Sequence, residues 1–146
     1  MRTPNRQVQI KRIKKVLQGL WSKAVRERDG DKCLMCGKTE FLHAHHWLFR
    51  KGHSLALAFD VRNGAALCYG CHIGRLHHDG DGEFIMRFLE LMRNKIGASD
   101  IADMEEIARH PHTLTLEDLQ EVHDGYIRKE GQTPNVGPLA FEIEGI

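Results

Sequence analysis

Two cysteine pairs, Cys33-Leu34-Met35-Cys36 and Cys68-Tyr69-Gly70-Cys71, stand 31 residues apart in a chain of 146. A two-residue spacer makes a tight knuckle that turns both sulfurs toward one point, and two knuckles supply the four corners of a tetrahedral Zn²⁺ site. A thioredoxin-like redox site needs only one such pair beside a βαβ pattern, and two disulfides require an oxidising compartment. The sequence therefore predicts a zinc ion on Cys33, Cys36, Cys68 and Cys71. Four thiolates leave no open coordination position, so this ion staples the fold and does no chemistry. The separation exceeds the 15–20 residues of a simple zinc ribbon, so a folded unit is expected between the knuckles.

That unit is rich in histidine. Seven of the chain's ten histidines lie between positions 43 and 78. They include the run His43-Ala44-His45-His46, His72 directly after the last cysteine, and His77. A neutral imidazole with a pKa near 6.5 can take a proton at physiological pH, as hydrolysis of a bond by activated water requires. Imidazole nitrogen is also a metal ligand, and a divalent ion held by few protein ligands supplies positive charge to a reacting group. Adjacent histidines at a strand end can divide these jobs. His43, two positions before His45, shares its strand face and is an alternative ligand. His77 joins them only in second place, because its spacing of five from His72 misses the four of a helical pair.

The order CxxC, His-His, Asn, CxxCH resembles the HNH nucleases, also called ββα-metal or His-Me finger nucleases, in their zinc-stabilised form. The resemblance covers roughly residues 33–78. It implies that His45 and His72 bind a catalytic Mg²⁺ or Mn²⁺, that His46 is the general base, and that Asn63 fixes the intervening loop. The fold class it implies is α+β, a small ββα-metal core stapled by a four-cysteine zinc site and flanked by helices.

Charge and periodicity describe the flanks. The net charge of +1 hides an asymmetry. Residues 1–28 carry nine Lys/Arg against Glu27 alone, giving +8; residues 29–82 balance, and residues 83–146 carry −7. A basic head suits a polyanion, since each phosphate contacted releases counterions. Val8, Ile13, Val16, Leu17, Leu20 and Trp21 suggest an amphipathic helix with Lys11, Arg12, Lys14 and Lys15 outward. Arg50, Lys51, Arg62 and Arg75, close in sequence to the histidines, are expected to grip the scissile strand. Downstream, the sequence predicts helices over Glu83–Ile96, from Ser99 to about Arg109, and over Leu116–Glu130 behind a Thr115 cap. The chain thus divides into a basic helical segment (1–29), the zinc-stapled core (30–82), C-terminal helices (83–131) and a tail (132–146). The aperiodic tail is expected to pack on the body or on a second subunit of a homodimer.

This layout is similar to the Rap/NinG recombination endonucleases of lambdoid phages. They share the Trp-Ser-x-x-Val-Arg-x-Arg-Asp segment found at Trp21–Asp29, and helices of the type seen in RFLELMRNKIG and LTLEDLQEVHDGYIRK. The resemblance implies a DNA endonuclease of phage-type recombination, with branched DNA among its substrates. With no apolar run near 18 residues and no signal-peptide core in MRTPNRQVQIKRIKKV, the expected place is the cytoplasm of a bacterial or phage-infected cell, away from membranes. The alternatives are a non-catalytic zinc-finger DNA-binding module and an HNH nuclease of phage packaging or restriction.

Overall fold

The computed structural model describes residues 2–78, 80–111 and 113–130. The tail expected over 132–146 lies outside the described residues. The elements run α1 (Arg6–Arg28), β1 (Leu42–His46), a short α2 (Leu55–Ala58), a 3₁₀ turn (Val61–Asn63), β2 (Gly64–Cys68), a π-helix (Gly70–His78), α3 (Gly82–Ile96), α4 (Ala98–Arg109) and α5 (Leu116–Glu130). This is an α+β arrangement around one two-stranded antiparallel sheet.

The sheet's period of two sorts its side chains. The register pairs His43 with Leu67 and His45 with Ala65 on one face; it pairs Ala44 with Ala66 and His46 with Gly64 on the other. The first face packs on α3 and α4 through a core of Leu67, Phe84, Phe88, Met92 and Met104. The second meets α1 and α5 through Leu17, Trp21, Val25, Leu119 and Tyr126. Helix α1 lies so close that a Cβ on Gly64 would collide with Val25 Cγ2 and come within 2.9 Å of Trp21 Cζ2. Glycine is required there by space. Of the apolar residues expected inward on α1, Leu17 and Trp21 are buried, whereas Val8 and Val16 lie exposed.

Side-chain caps define the helix ends. Asn5 Oδ1 accepts from Val8 N, and Asp81 Oδ1 from Phe84 N. Thr115 and Asp118 bond each other's backbone N–H at 3.2 and 2.8 Å, a reciprocal capping arrangement. The expected start of α4 at Ser99 moves to Ala98. Gly97, at φ +93°, ends α3 and opens α4 in one residue, a backbone that favours glycine.

Asp29 joins three elements. Its buried carboxylate accepts from Ala66 N at 2.8 Å, pairs with Arg28 at 2.9 Å and lies 3.4 Å from Lys95 Nζ. Arg28 also donates to the carbonyls of Val61 and Gly64. The end of α1 is thereby fixed to the start of β2.

Candidate metal centres and the imidazole site

The first knuckle is shaped by backbone bonds from Cys33 N to Lys38 O and from Gly37 N to Cys33 O, and Leu34 N ties it to Ala66 O on β2. The second knuckle straddles the end of β2 and the π-helix. The four sulfurs of Cys33, Cys36, Cys68 and Cys71 lie within 4.8 Å of one another. Cys36 Sγ and Cys68 Sγ are 3.5 Å apart, against about 3.8 Å for thiolates sharing a tetrahedral ion at 2.3 Å. The cluster can hold a structural zinc ion. Three of its members are buried and Cys36 is exposed.

The imidazoles gather on the sheet face toward the π-helix. One ring nitrogen from each of His45, His72 and His77 lies within the same 4.8 Å limit. His45 Nδ1 and His72 Nε2 are 3.1 Å apart. Donors sharing one ion at 2.0–2.1 Å stand about 3.0–3.4 Å apart, so the spacing fits shared coordination. His77, ranked below His72 on its spacing of five, belongs to the group. The segment is a π-helix, whose i→i+5 turn puts positions five apart on one face. His43 takes a different place: its Nδ1 sits 3.1 Å from His72 Nδ1, on the far side of that ring from His45.

Burial, then the charges of His72, His77 and His46, pushes the His45 imidazole down to about 3. Burial, then His77 and His43, pushes His72 down to about 4. Both rings are thus neutral at pH 7, with lone pairs free for an ion.

His46 leaves the strand on the opposite face. Its ring stacks on Trp21, and its Nε2 lies 2.9 Å from the carbonyl of Ala58 at the end of α2. A carbonyl only accepts, so Nε2 carries the hydrogen and Nδ1 keeps the lone pair. Burial, with the charge of Lys51 adding to it, lowers the pKa of His46 from its ordinary value, against an opposing pull from the Ala58 carbonyl.

Asn63 is fully buried. Its Oδ1 accepts from Leu48 N and Phe49 N at 3.2 and 2.9 Å, and its Nδ2 donates to Phe49 O and Leu57 O at 2.8 and 3.1 Å. The asparagine fixes the loop that follows His46 and has no surface to meet a substrate.

The expected strand-gripping residues divide. Lys11, Arg12, Lys14 and Lys15 are exposed along α1, and Arg50 and Lys51 are exposed in the loop after β1. Arg75 is partly exposed, pairs with Asp81 at 2.8 Å and lies over the Phe84 ring. Arg62 corrects the expectation. It is 0% exposed and ion-paired with Asp60, Asp100 and Asp103 at 2.8, 3.3 and 2.9 Å. The guanidinium binds α4 to the 3₁₀ turn and presents nothing to DNA. The sequence pattern also gave no sign of Trp21 and Ala58 as the setting of His46; a tryptophan in an amphipathic pattern signals core and no more.

No protein-family profile, characterised protein or solved structure matches the chain. Among the described residues no helix is long and apolar enough to cross a membrane.

Proposed function

We propose that the chain is a metal-dependent DNA endonuclease that hydrolyses phosphodiester bonds on a zinc-stapled HNH-type core, in phage-type recombination or branched-DNA processing. One observation carries the reading: His45, His72 and His77 each turn one ring nitrogen toward a common point, and His46, the next residue after His45 at the end of β1, holds a single tautomer on the other face of the strand. A half-buried histidine kept only for packing has no need of a cluster with ligand spacing.

In this account His46 Nδ1 takes the proton of the attacking water while Nε2–H stays on the Ala58 carbonyl, which holds the ring in orientation. His45, His72 and His77 hold the ion, and His43 steadies His72 from behind. When bound, the ion supplies positive charge to the phosphate and the leaving oxygen. Three protein ligands leave a coordination position open, as a catalytic site requires and the four-cysteine cluster does not allow. Imidazole donors favour Zn²⁺, Fe²⁺ or Ni²⁺ over the oxygen-preferring Mg²⁺ and Mn²⁺. Mg²⁺ and Mn²⁺, the ions expected from sequence, are therefore the weaker binders in this proposal. The exposed bases of α1 supply affinity for the DNA backbone.

The test is nicking of supercoiled plasmid by zinc-loaded protein across a series of added divalent ions, with linear and four-way-junction DNA alongside. Ion-dependent nicking is expected. DNA binding without cleavage under any ion would make the chain a non-catalytic binding module.

A further inference from the structure

We propose that the loop between β1 and α2 is a stacking seat for one unpaired nucleobase of the substrate strand, an inference that rests on the nuclease reading above. Leu48, Phe49, Arg50, Gly52 and His53 line an open cleft of about 430 Å³, a volume within the range of small-ligand sites. The rings of Phe49 and His53 lie close to parallel, 5.4 Å between centroids and 27° between planes. Phe49 is half-buried and supports His53, which is exposed. The ring pair thus forms a platform whose outer member faces solvent.

Its surroundings select a nucleotide. Residues 41–59 include Arg50 and Lys51 and no carboxylate; both cations are exposed, and Arg50 lines the cleft itself. An aromatic surface flanked by cations suits a base and its phosphate together. The seat is also preformed. Asn63 holds Leu48 N, Phe49 N and Phe49 O, and His53 N closes a turn onto Arg50 O at 2.9 Å. Less ordering is then required when a base arrives.

Placement connects the cleft to the chemistry. The loop that carries the cleft follows directly on His46, with His53 seven residues further along the chain, so the cleft and the proposed general base belong to one connected segment. A base within a duplex already stacks on its neighbours. The seat therefore takes a nucleotide from a bulge, a fork or a strand end, and every base has a face to offer, so sequence matters little.

The experiment uses zinc-loaded His46→Ala protein, which the nuclease reading leaves able to bind DNA. Fluorescence anisotropy compares a duplex with a bulged 2-aminopurine, the same duplex with a bulged abasic nucleotide, and the fully paired duplex. The base-containing bulge is expected to bind about tenfold more tightly than the abasic one, and 2-aminopurine emission should fall on binding. Adding His53→Ala should remove both effects and leave paired-duplex binding unchanged. Equal binding of base and abasic bulges, or a preference that survives His53→Ala, would overturn the seat. If native protein nicks plasmid while the bulge preference is absent, the seat alone fails; if no DNA binds and none is cut, the nuclease reading fails with it.

Discussion

His46 and Trp21 stack face to face, with 4.1 Å between ring centroids and 10° between planes. Trp21 is fully buried and donates Nε1–H to Asp60 O at 2.8 Å, so the imidazole rests on a surface that cannot turn. This setting disfavours the imidazolium and puts the pKa of His46 below its ordinary value, burial first and Lys51 second. A base works unprotonated, so cleavage should rise with pH through a midpoint below about 6.5 and level off near neutrality. Lys51→Gln removes a charge that opposes protonation and should move the midpoint up. The sign is the same for folding. A depressed imidazole pKa gives stability that is complete above the unfolded value and is lost as pH falls through the folded one. A rate profile that falls with rising pH would place the base elsewhere.

Cys68 sits in the last position of β2, buried beside Cys33, Cys36 and Cys71. Structural zinc contributes on the order of 10 kcal/mol in small zinc domains, comparable to a whole domain's stability. Cys68→Ser should lower the bound zinc and the Tm together, read by metal analysis and thermal unfolding. Retention of both would remove the staple from the account.

Arg62 is the buried counterpart of three carboxylates. Arg62→Met should destabilise the protein by about 3–5 kcal/mol, because Asp60 is left as a buried charge without its partner. Burial already pushes the Asp60 carboxyl up to about 6 even with Arg62 beside it. Adding Asp60→Asn to Arg62→Met should recover part of the loss in urea unfolding. A native midpoint for Arg62→Met would mean that the cluster is worth little.

Lys11, Arg12, Lys14 and Lys15 project from α1 into solvent. Replacing all four with Ser should weaken DNA binding and flatten its dependence on salt, by up to about 0.9 in log–log slope for each duplex phosphate no longer neutralised. Fluorescence titrations over a range of salt read both quantities. An unchanged slope would take this face of α1 out of the interface.

The features legible in the sequence are those that follow local rules. The stripe that predicts Glu83–Ile96 gives α3 at Gly82–Ile96, and the CxxC spacing brings all four sulfurs together. Long-range pairing and unusual backbone were not legible. Arg62 looks like a surface cation in sequence, and only the docking of α4 brings Asp100 and Asp103 to it. His77 looks misaligned under the 3.6-residue turn that suits the rest of the chain, and the π-helix restores it. Phe49 and His53 gave no signal because an aromatic and a histidine four apart in a loop follow no period. Their stacking depends on the turn closed by Arg50 and on the clamp of Asn63.

In the proposed reaction His46 takes the proton and the imidazole cluster holds the ion. The single-turnover cleavage rate of zinc-loaded His46→Ala, with DNA and the added ion at saturation, tests it most directly. The predicted result is a rate on the order of 10²–10⁴-fold below native, with DNA and ion affinity unchanged, while His72→Ala loses ion affinity and recovers as the ion is raised. A His46→Ala protein that cleaves at the native rate would contradict the account.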